Sequence, residues 1–362
     1  MADLQPESIW NYLEKMHSMH ASDLIISVGN PIKVRIRGLL KSLETPSLSE
    51  KLVYEMIKVL LSPEQMKTLE EDWDLDLSLH RKGVGRFRTN VLKQRLGYMA
   101  VFRFIPDSIP DPDSLGLDKV IKDLMDNHQG LVLVTGPIRS GKTTTMASLV
   151  NMINQKEKSH IITIEDPIEY IYPAGQSMIN QREVRKHTMS TAAAMRAALR
   201  EDPDVILVGE MRDLETMELA IGAAETGHLV LSTLQTKSAA KTIDRVVDAF
   251  PPKQVEQIRT LLSGSLKGII SQKLIPSADG KSMIMASEVL LANISLTKMI
   301  KEGKTFQIAS VMQMGRAHGM RTLDHSILGL VKEKRITPVT GLKYANNPKA
   351  LSEEYTTQGI EM

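Results

Sequence analysis

One stretch of the chain carries residue types and spacing suited to phosphate chemistry. The segment Gly136-Pro-Ile-Arg-Ser-Gly-Lys-Thr143 matches the pattern G-x-x-x-x-G-K-[ST], follows an apolar run and precedes a helical pattern. In such a P-loop, glycines let backbone N–H groups approach phosphates, and the start of the next helix adds positive potential. Lys142 is expected to act on the β and γ phosphate oxygens, and the Thr143 hydroxyl to ligate Mg²⁺. The sequence therefore predicts a site for ATP and Mg²⁺, whose nucleotide-binding residues are Gly136, Pro137, Ile138, Arg139, Ser140, Gly141, Lys142, Thr143 and Thr144.

Carboxylates end two other apolar runs and are the candidates for acid–base and metal chemistry. Glu210 ends the run DVILVGE, where a strand would deliver it beside the phosphates to orient or deprotonate the attacking water. Gly209 stands where a Walker B motif usually has an aspartate, so metal ligation needs another acid, and Glu165 and Asp166 are the natural candidates. An acidic strand end by itself is usually a solvated loop, and the P-loop is what distinguishes these residues. We predict Glu210 and Glu165 as catalytic, and Thr143, Glu165 and Glu210 as metal ligands.

The elements that position these residues fall on either side of a proline-rich segment, Ile105–Leu117, which disfavours a continuous helix and predicts a linker. We predict a first domain over residues 1–104, the linker over 105–117 and a second domain over 118–362. The first domain has mixed helical and strand patterns. Its predicted helices are Glu7–His20, Leu52–Leu61 and Pro63–Glu71, and its predicted strands are Leu24–Val28, a half-exposed strand over 31–40, Asp74–Leu79, Arg86–Arg95 and Tyr98–Phe104.

After the linker, short apolar runs alternate with helical patterns, which is typical of a parallel sheet covered on both faces. From about Ser263 the sequence is mostly helical, apart from strands around Lys273–Ile275 and Met283–Val289. The predicted strands of the alternating part are Gly130–Gly136, His160–Asp166, Asp204–Glu210 and His228–Leu234, and its main helices are Thr143–Ile153, Thr191–Arg200 and Leu214–Ala224.

Several further motifs resemble those of the secretion-type traffic ATPases, most closely the type IV pilus retraction branch that includes PilT and PilU. They are the Asp box IEDPIEY, the Walker B region REDPDVILVGEMRDLET, the His box ETGHLVLSTLQT and the segment SAAKTIDRVVDAFP, and ASDLIISVGNP and GVGRFRTNVLKQR in the first domain also agree. The resemblance implies an α/β fold with a smaller PAS-like N-terminal domain and a RecA-like P-loop ATPase domain. It implies a homo-hexamer in the cytoplasm, peripherally at the inner membrane, that works with a platform protein of the pilus machine, with a paralogous pilus ATPase as a further candidate partner.

The resemblance also implies further catalytic residues. His228 matches the first His of the His box, although by itself it resembles a hydrogen-bonded core histidine. Arg88 and Arg103 correspond to arginines that the N-terminal domain supplies to a γ-phosphate, whereas basic alternation alone is more often a solvated strand face. The arginines beside the Glu210 strand are equally typical of interface or salt-bridge residues, and these are Arg196, Arg200 and Arg212.

The chain departs from the branch at defined positions. The usual P-loop reads GPTGSGK, so Ile138 and Arg139 replace Thr and Gly, while Gln235 replaces the second His of the His box and Arg185 replaces a Gly. Two function classes therefore remain. One is an active ATPase that retracts pili, and the other is an accessory PilU-like ring component with weak ATPase activity that modulates another motor.

Composition excludes other classes. A net charge of +2 and 4% aromatic residues provide neither a basic channel nor stacking platforms for nucleic acid. The apolar runs are far shorter than the roughly 20 residues of a membrane helix, which predicts no direct membrane insertion. The absence of cysteine excludes disulfides, thiolate metal sites and the four-cysteine zinc module common in the longer relatives, which favours the retraction branch.

Overall fold

The computed structural model describes residues 4–36, 38–105 and 108–361. The chain forms two compact units. The first comprises residues up to Ser108 together with the short segment Pro167–Ile171, and the second comprises Ile109–Asp166 and Tyr172 onward. The division falls inside the predicted linker, of which residues 106 and 107 lie outside the described residues. The return of Pro167–Ile171 to the first unit was not predicted.

The first unit is built on an antiparallel sheet that, within the described residues, has six strands in the order β3-β2-β1-β6-β5-β4. Helix α1 packs on β1 and α2 packs on β6, and the apolar core between them includes fully buried Phe87 and Phe102. The strands are β1 (Ala21–Ser27), β2 (Lys33–Ile36), β3 (Leu39–Ser42), β4 (Asp74–Arg81), β5 (Gly85–Gln94) and β6 (Gly97–Ile105), and the helices are α1 (Ser8–Ser18), α2 (Glu50–Leu60) and α3 (Pro63–Asp72).

The second unit contains a sheet with the order β13-β12-β7-β11-β10-β8-β9 across its described residues. Neighbouring strands from β12 to β9 are parallel, and β13 is antiparallel to β12. The strands are β7 (Gly130–Thr135), β8 (His160–Glu165), β9 (Met178–Glu183), β10 (Val205–Val208), β11 (Leu229–Leu234), β12 (Leu266–Pro276) and β13 (Met283–Leu291).

Helices cover both faces of this parallel sheet, as its buried apolar strands predict. Alternate residues of β7 show this, because Leu131 and Leu133 pack with one set of helices while Val132 and Val134 pack with α5. The helices are α4 (Lys119–Asp123), α5 (Lys142–Lys156), α6 (Thr191–Ala198), α7 (Leu214–Glu225), α8 (Ala239–Val247), α9 (Val255–Ser265), α10 (Ile294–Glu302), α11 (Ile308–Met314), α12 (Leu323–Lys332), α13 (Pro338–Tyr344) and α14 (Pro348–Thr357). No helix in the described part of the chain is long and apolar enough to cross a bilayer.

Side-chain caps fix where several of these helices begin. The hydroxyl of Ser62 accepts from the N–H of Gln65, whose side chain accepts from the N–H of Ser62, and this capping box starts α3. Ser190 and Ser238 cap α6 and α8 through a single hydrogen bond each, in which the serine hydroxyl accepts a backbone N–H of the first turn.

Two sequence-based expectations about strands are wrong, and one strand was not predicted. The predicted strand over 31–40 is a hairpin of β2 and β3, with Gly38 in its turn at a φ of +81° that favours glycine. Strand β12 begins at Leu266 rather than near Lys273, because it pairs along β7 on one side and β13 on the other. Strand β9 was missed, since its sequence MINQRE is polar and it lies at the edge of the sheet.

Candidate functional site

The P-loop connects β7 to α5, as the sequence predicts. Gly136 has a φ of +150°, and a Cβ there would lie 2.4 Å from the backbone oxygen of Gln272. The close approach of these two backbone segments therefore requires glycine. Gly141 is the N-cap of α5 at a φ of +85°. The Nζ of Lys142 donates to the carbonyl oxygens of Gly136 and Pro137, both at 3.0 Å. The lysine charge therefore lies at the loop, beside the amino terminus of a 15-residue helix.

The two variant P-loop residues lie on the outside of the loop. Ile138 is 71% exposed, and Arg139 is exposed with a φ of +66°. This left-handed conformation costs an L-residue about 1–2 kcal/mol and favours glycine. The structure thus places a side chain at a position where the backbone is suited to Gly. Ser140, next along the loop, is buried.

Strand order brings Glu210 and Gln235 together. Strand β11 lies between β7 and β10, so the loops that follow β11 and β10 are neighbours at the carboxyl edge of the sheet. The Nε2 of Gln235 donates to Glu210 Oε1 at 2.7 Å, and the Nε of Arg212 donates to Glu210 Oε2 at 2.7 Å. Arg212 Nη1 also lies 3.8 Å from Asp166 Oδ2, so Arg212 pairs with both acids. The salt-bridge alternative for Arg212 is the one that the structure supports.

Glu165 ends β8 as a buried carboxylate. Thr163 donates to its Oε1 at 2.7 Å and Gln181 donates to the same atom at 3.3 Å. Strand β8 is three strands from β7, which corresponds to about 14 Å at the usual strand spacing. Glu165 therefore lies further along the edge from the P-loop than Glu210 does, while Thr143 lies in the first turn of α5, directly after the loop.

Buried and half-buried hydroxyls connect the ends of neighbouring strands. Thr236, just after β11, pairs with Thr242 of α8 at 2.6 Å between their Oγ1 atoms. Thr242 in turn reaches Thr135 at 3.5 Å, and Thr135 pairs with Ser271 of β12 at 2.6 Å. This series of hydrogen bonds joins the loop after β11 to β7, the strand that precedes the P-loop.

A buried acid fixes the start of α8. Glu288 Oε1 accepts the N–H of Ala239 at 2.7 Å. Burial raises the pKa of Glu288 above its ordinary value, against the lowering effect of hydrogen bonds from the N–H groups of Ala239 and Leu323.

The structure does not bring His228 to this edge. His228 precedes β11, and its carbonyl oxygen accepts the N–H of Gly130 at the beginning of β7, about 17 Å along the strand from the P-loop. Its Nδ1 lies 3.0 Å from the carbonyl oxygen of Ala223. His228 therefore lies at the opposite end of the sheet from the P-loop of its own chain, and its role at a catalytic interface between subunits stays a prediction. His228 is half-buried and hydrogen-bonded, so the structure supports the hydrogen bond of the core-histidine alternative but not full burial.

Arg88 and Arg103 belong to the first unit and are direct cross-strand neighbours on β5 and β6. Each has an acidic partner in that unit. Arg88 Nη1 lies 3.1 Å from Glu169 Oε1, and Arg103 Nε lies 3.0 Å from Oδ1 of the buried Asp23. The side chains remain 33% and 40% exposed, so each arginine pairs with an acid and is also partly open to solvent.

Sequence reasoning missed Gln272, a buried polar residue of β12 whose Nε2 donates to the carbonyl oxygen of Ser140 at 2.6 Å. The available signal was a glutamine within the apolar run GIISQKLI, since buried strands rarely carry an amide without a partner.

Comparison with known proteins places this site in context. A family model described as "Type II/IV secretion system protein" matches residues 6–330. The chain is 44% identical over 329 residues to the "Type IV pilus retractation ATPase PilT" of Pseudomonas aeruginosa, covering 91% of this chain and 95% of that protein. It is 42% identical over 332 residues to a "Twitching motility protein" of Neisseria gonorrhoeae, covering 92% and 88%.

Among solved structures, the chain is similar to the pilus retraction motor PilT with bound ADP. The TM-score is 0.86 at 44% identity, with 97% of this chain and 100% of that chain covered. The similarity therefore includes both units rather than the P-loop region alone.

Proposed function

The chain belongs to the type II/IV secretion system protein family, and on this premise we propose that it is a hexameric ATPase of a type IV pilus machine, which couples ATP hydrolysis to pilus retraction and twitching motility. One observation carries the proposal. The chain has a P-loop in which Lys142 donates a hydrogen bond to the carbonyl of Gly136. The same chain matches a solved pilus retraction motor over 97% of its length at a TM-score of 0.86.

The residues of the site divide the work of hydrolysis among them. The N–H groups of the P-loop and Lys142 hold the phosphates, and the amino terminus of α5 adds positive potential. Glu210 orients the attacking water and accepts its proton. The orientation of its carboxylate is fixed, because Gln235 donates a hydrogen bond to one oxygen and Arg212 to the other.

We propose that Mg²⁺ would be held by the Thr143 hydroxyl with Glu210, and that Glu165, about 14 Å along the edge from β7, would reach the ion through a bound water rather than directly. Among the described residues, no three or more His, Cys, Asp or Glu side chains are grouped so that they could hold a metal ion. Mg²⁺ does not require one, because it keeps waters and binds through substrate phosphates and one or two protein oxygens. When bound, the ion neutralises charge on the phosphates.

Arg88 and Arg103 supply positive charge from the first unit to the γ-phosphate of an adjacent subunit. Their guanidinium groups are suited to bidentate phosphate contacts. This arrangement makes the ring the catalytic unit, since each nucleotide site is completed by a second copy. The ring works in the cytoplasm, peripherally at the inner membrane, with a platform protein of the pilus machine.

A second candidate is an accessory ring component with weak turnover that modulates another pilus motor. The observation that favours it is the φ of +66° at Arg139, a conformation suited to Gly in the loop that binds phosphate.

The discriminating experiment combines an enzyme assay with a cellular one. Purified protein is assayed for Mg²⁺-dependent ATP hydrolysis, and the gene is expressed in a piliated bacterium that lacks its retraction ATPase. Restored twitching together with hydrolysis supports the motor. Weak hydrolysis by the protein alone, with a changed hydrolysis rate of a second pilus ATPase when the protein is added to it, supports the accessory component. No hydrolysis by the protein alone and no effect on the second ATPase contradict both.

A further inference from the structure

We propose that Gln272 is a positioning residue for the phosphate-binding loop. Its carboxamide fixes the peptide between Ser140 and Gly141, so that the N–H of Gly141 faces the phosphates. The inference deepens the proposed function and rests on it, because it assigns a role in nucleotide binding to a residue of the neighbouring strand.

The placement of Gln272 follows from strand pairing. Ser271 of β12 lies opposite Thr135, the last residue of β7, so Gln272 lies one step beyond the end of β7, where the P-loop begins. The residue is 2% exposed, and its Nε2 donates to the carbonyl oxygen of Ser140 at 2.6 Å. A neighbouring strand, rather than the loop itself, thus supplies this contact.

The hydrogen bond from Gln272 to the Ser140 carbonyl also sets the direction of the Gly141 N–H. In a planar trans peptide, the C=O of one residue and the N–H of the next point to opposite sides. Gln272 holds the Ser140 carbonyl toward β12, so the N–H of Gly141 points away from β12. Gly141 is also the N-cap of α5, the end of the helix that favours anions.

The same residue limits the space available to both glycines of the loop. A Cβ on Gly141 would lie 3.3 Å from Gln272 Nε2, and a Cβ on Gly136 would lie 2.4 Å from the Gln272 backbone oxygen. Gln272 therefore contacts the loop at its beginning and at its end.

The amide nitrogen is the part of the side chain that makes this contact. Gln272 Oε1 is buried and has no hydrogen-bond partner among the described residues. Removing the donor while keeping the volume thus tests the positioning role without breaking a larger network. Gln272→Met removes both polar atoms at nearly the same volume, and Gln272→Leu removes them with a branched side chain.

The test measures ADP affinity by calorimetry in the presence of Mg²⁺, together with thermal unfolding without nucleotide. We expect both Gln272 variants to bind ADP about threefold to tenfold more weakly than the wild type, the usual worth of one hydrogen bond. The matched control is Ser232→Ala, which removes another buried bond from a side chain to a carbonyl, that of Ser232 to Val208 at 2.8 Å between two central strands. We expect this control to lower thermal stability and leave ADP affinity unchanged.

The outcomes separate the two proposals. ADP binding by the wild type with undiminished affinity in both Gln272 variants overturns the positioning role alone. An equal loss of affinity in Ser232→Ala also overturns it, because the effect is then one of general stability. Absence of ADP binding by the wild type overturns the proposed function and this inference with it.

Discussion

Arg139→Gly tests whether the variant P-loop limits the enzyme. Arg139 has a φ of +66°, in the region where an L-residue is disfavoured by about 1–2 kcal/mol. Taking the lower value of about 1 kcal/mol, glycine shifts the equilibrium constant between this loop conformation and its alternatives about fivefold. We expect Arg139→Gly to raise turnover and ATP affinity by up to that factor.

Thermal stability is expected to change little in the same variant. Glycine relieves the backbone strain of the folded loop, but it also increases the conformational entropy of the unfolded chain by about 0.4–1 kcal/mol. The two terms offset one another. The assay is steady-state ATP hydrolysis at several nucleotide concentrations, with a parallel thermal unfolding curve.

Arg185→Gly is the matched control. Arg185 has a φ of +68° in the turn after β9, outside the P-loop, and its N–H donates to the Thr188 carbonyl at 2.7 Å. The same substitution there relieves the same kind of strain, so turnover should stay at the wild-type value. A fall in turnover with Arg139→Gly would refute the reasoning, because the guanidinium would then be a working phosphate contact. An equal rise in both variants would show that the effect is not specific to the loop.

Four other substitutions or conditions test the remaining assignments. Lys142→Ala should abolish turnover, because it removes the charge that acts on the phosphates, and preserve the fold measured by circular dichroism, because the side chain is only half-buried; unchanged hydrolysis would contradict its role. Glu210→Gln should retain ATP binding and slow hydrolysis about 10²–10⁴-fold in single-turnover assays, whereas loss of binding would identify Glu210 as chiefly a metal ligand. Gln235→His should add to the gain of Arg139→Gly, since a titratable donor replaces the amide beside Glu210; a double variant no faster than Arg139→Gly would count against it. Native mass spectrometry should show hexamers whose share rises with ATP, because a ligand that contacts two subunits stabilises the assembly, and monomers alone at high concentration would exclude the ring.

Local patterns in the sequence determined the P-loop and most elements of both units. Gly136 and Gly141 are required by a short chain reversal between one strand and one helix, so their spacing alone identifies the loop. The alternation of buried runs with helical patterns likewise predicted a parallel sheet with helices on both faces, because burial on both faces imposes continuous apolar strands. Glu210 was identifiable for the same reason, as the polar residue just after such a strand.

Tertiary structure alone decided which side chains meet. Strand order sets β11 between β7 and β10, and this brings Gln235 to Glu210 while leaving His228 at the far end of its strand. Both residues belong to one sequence motif, yet six residues of extended chain separate them by the length of the strand. Gln272 reaches the P-loop only because β12 pairs with β7, more than a hundred residues away in sequence. Such pairings depend on the packing of the whole sheet, and no local periodicity records them.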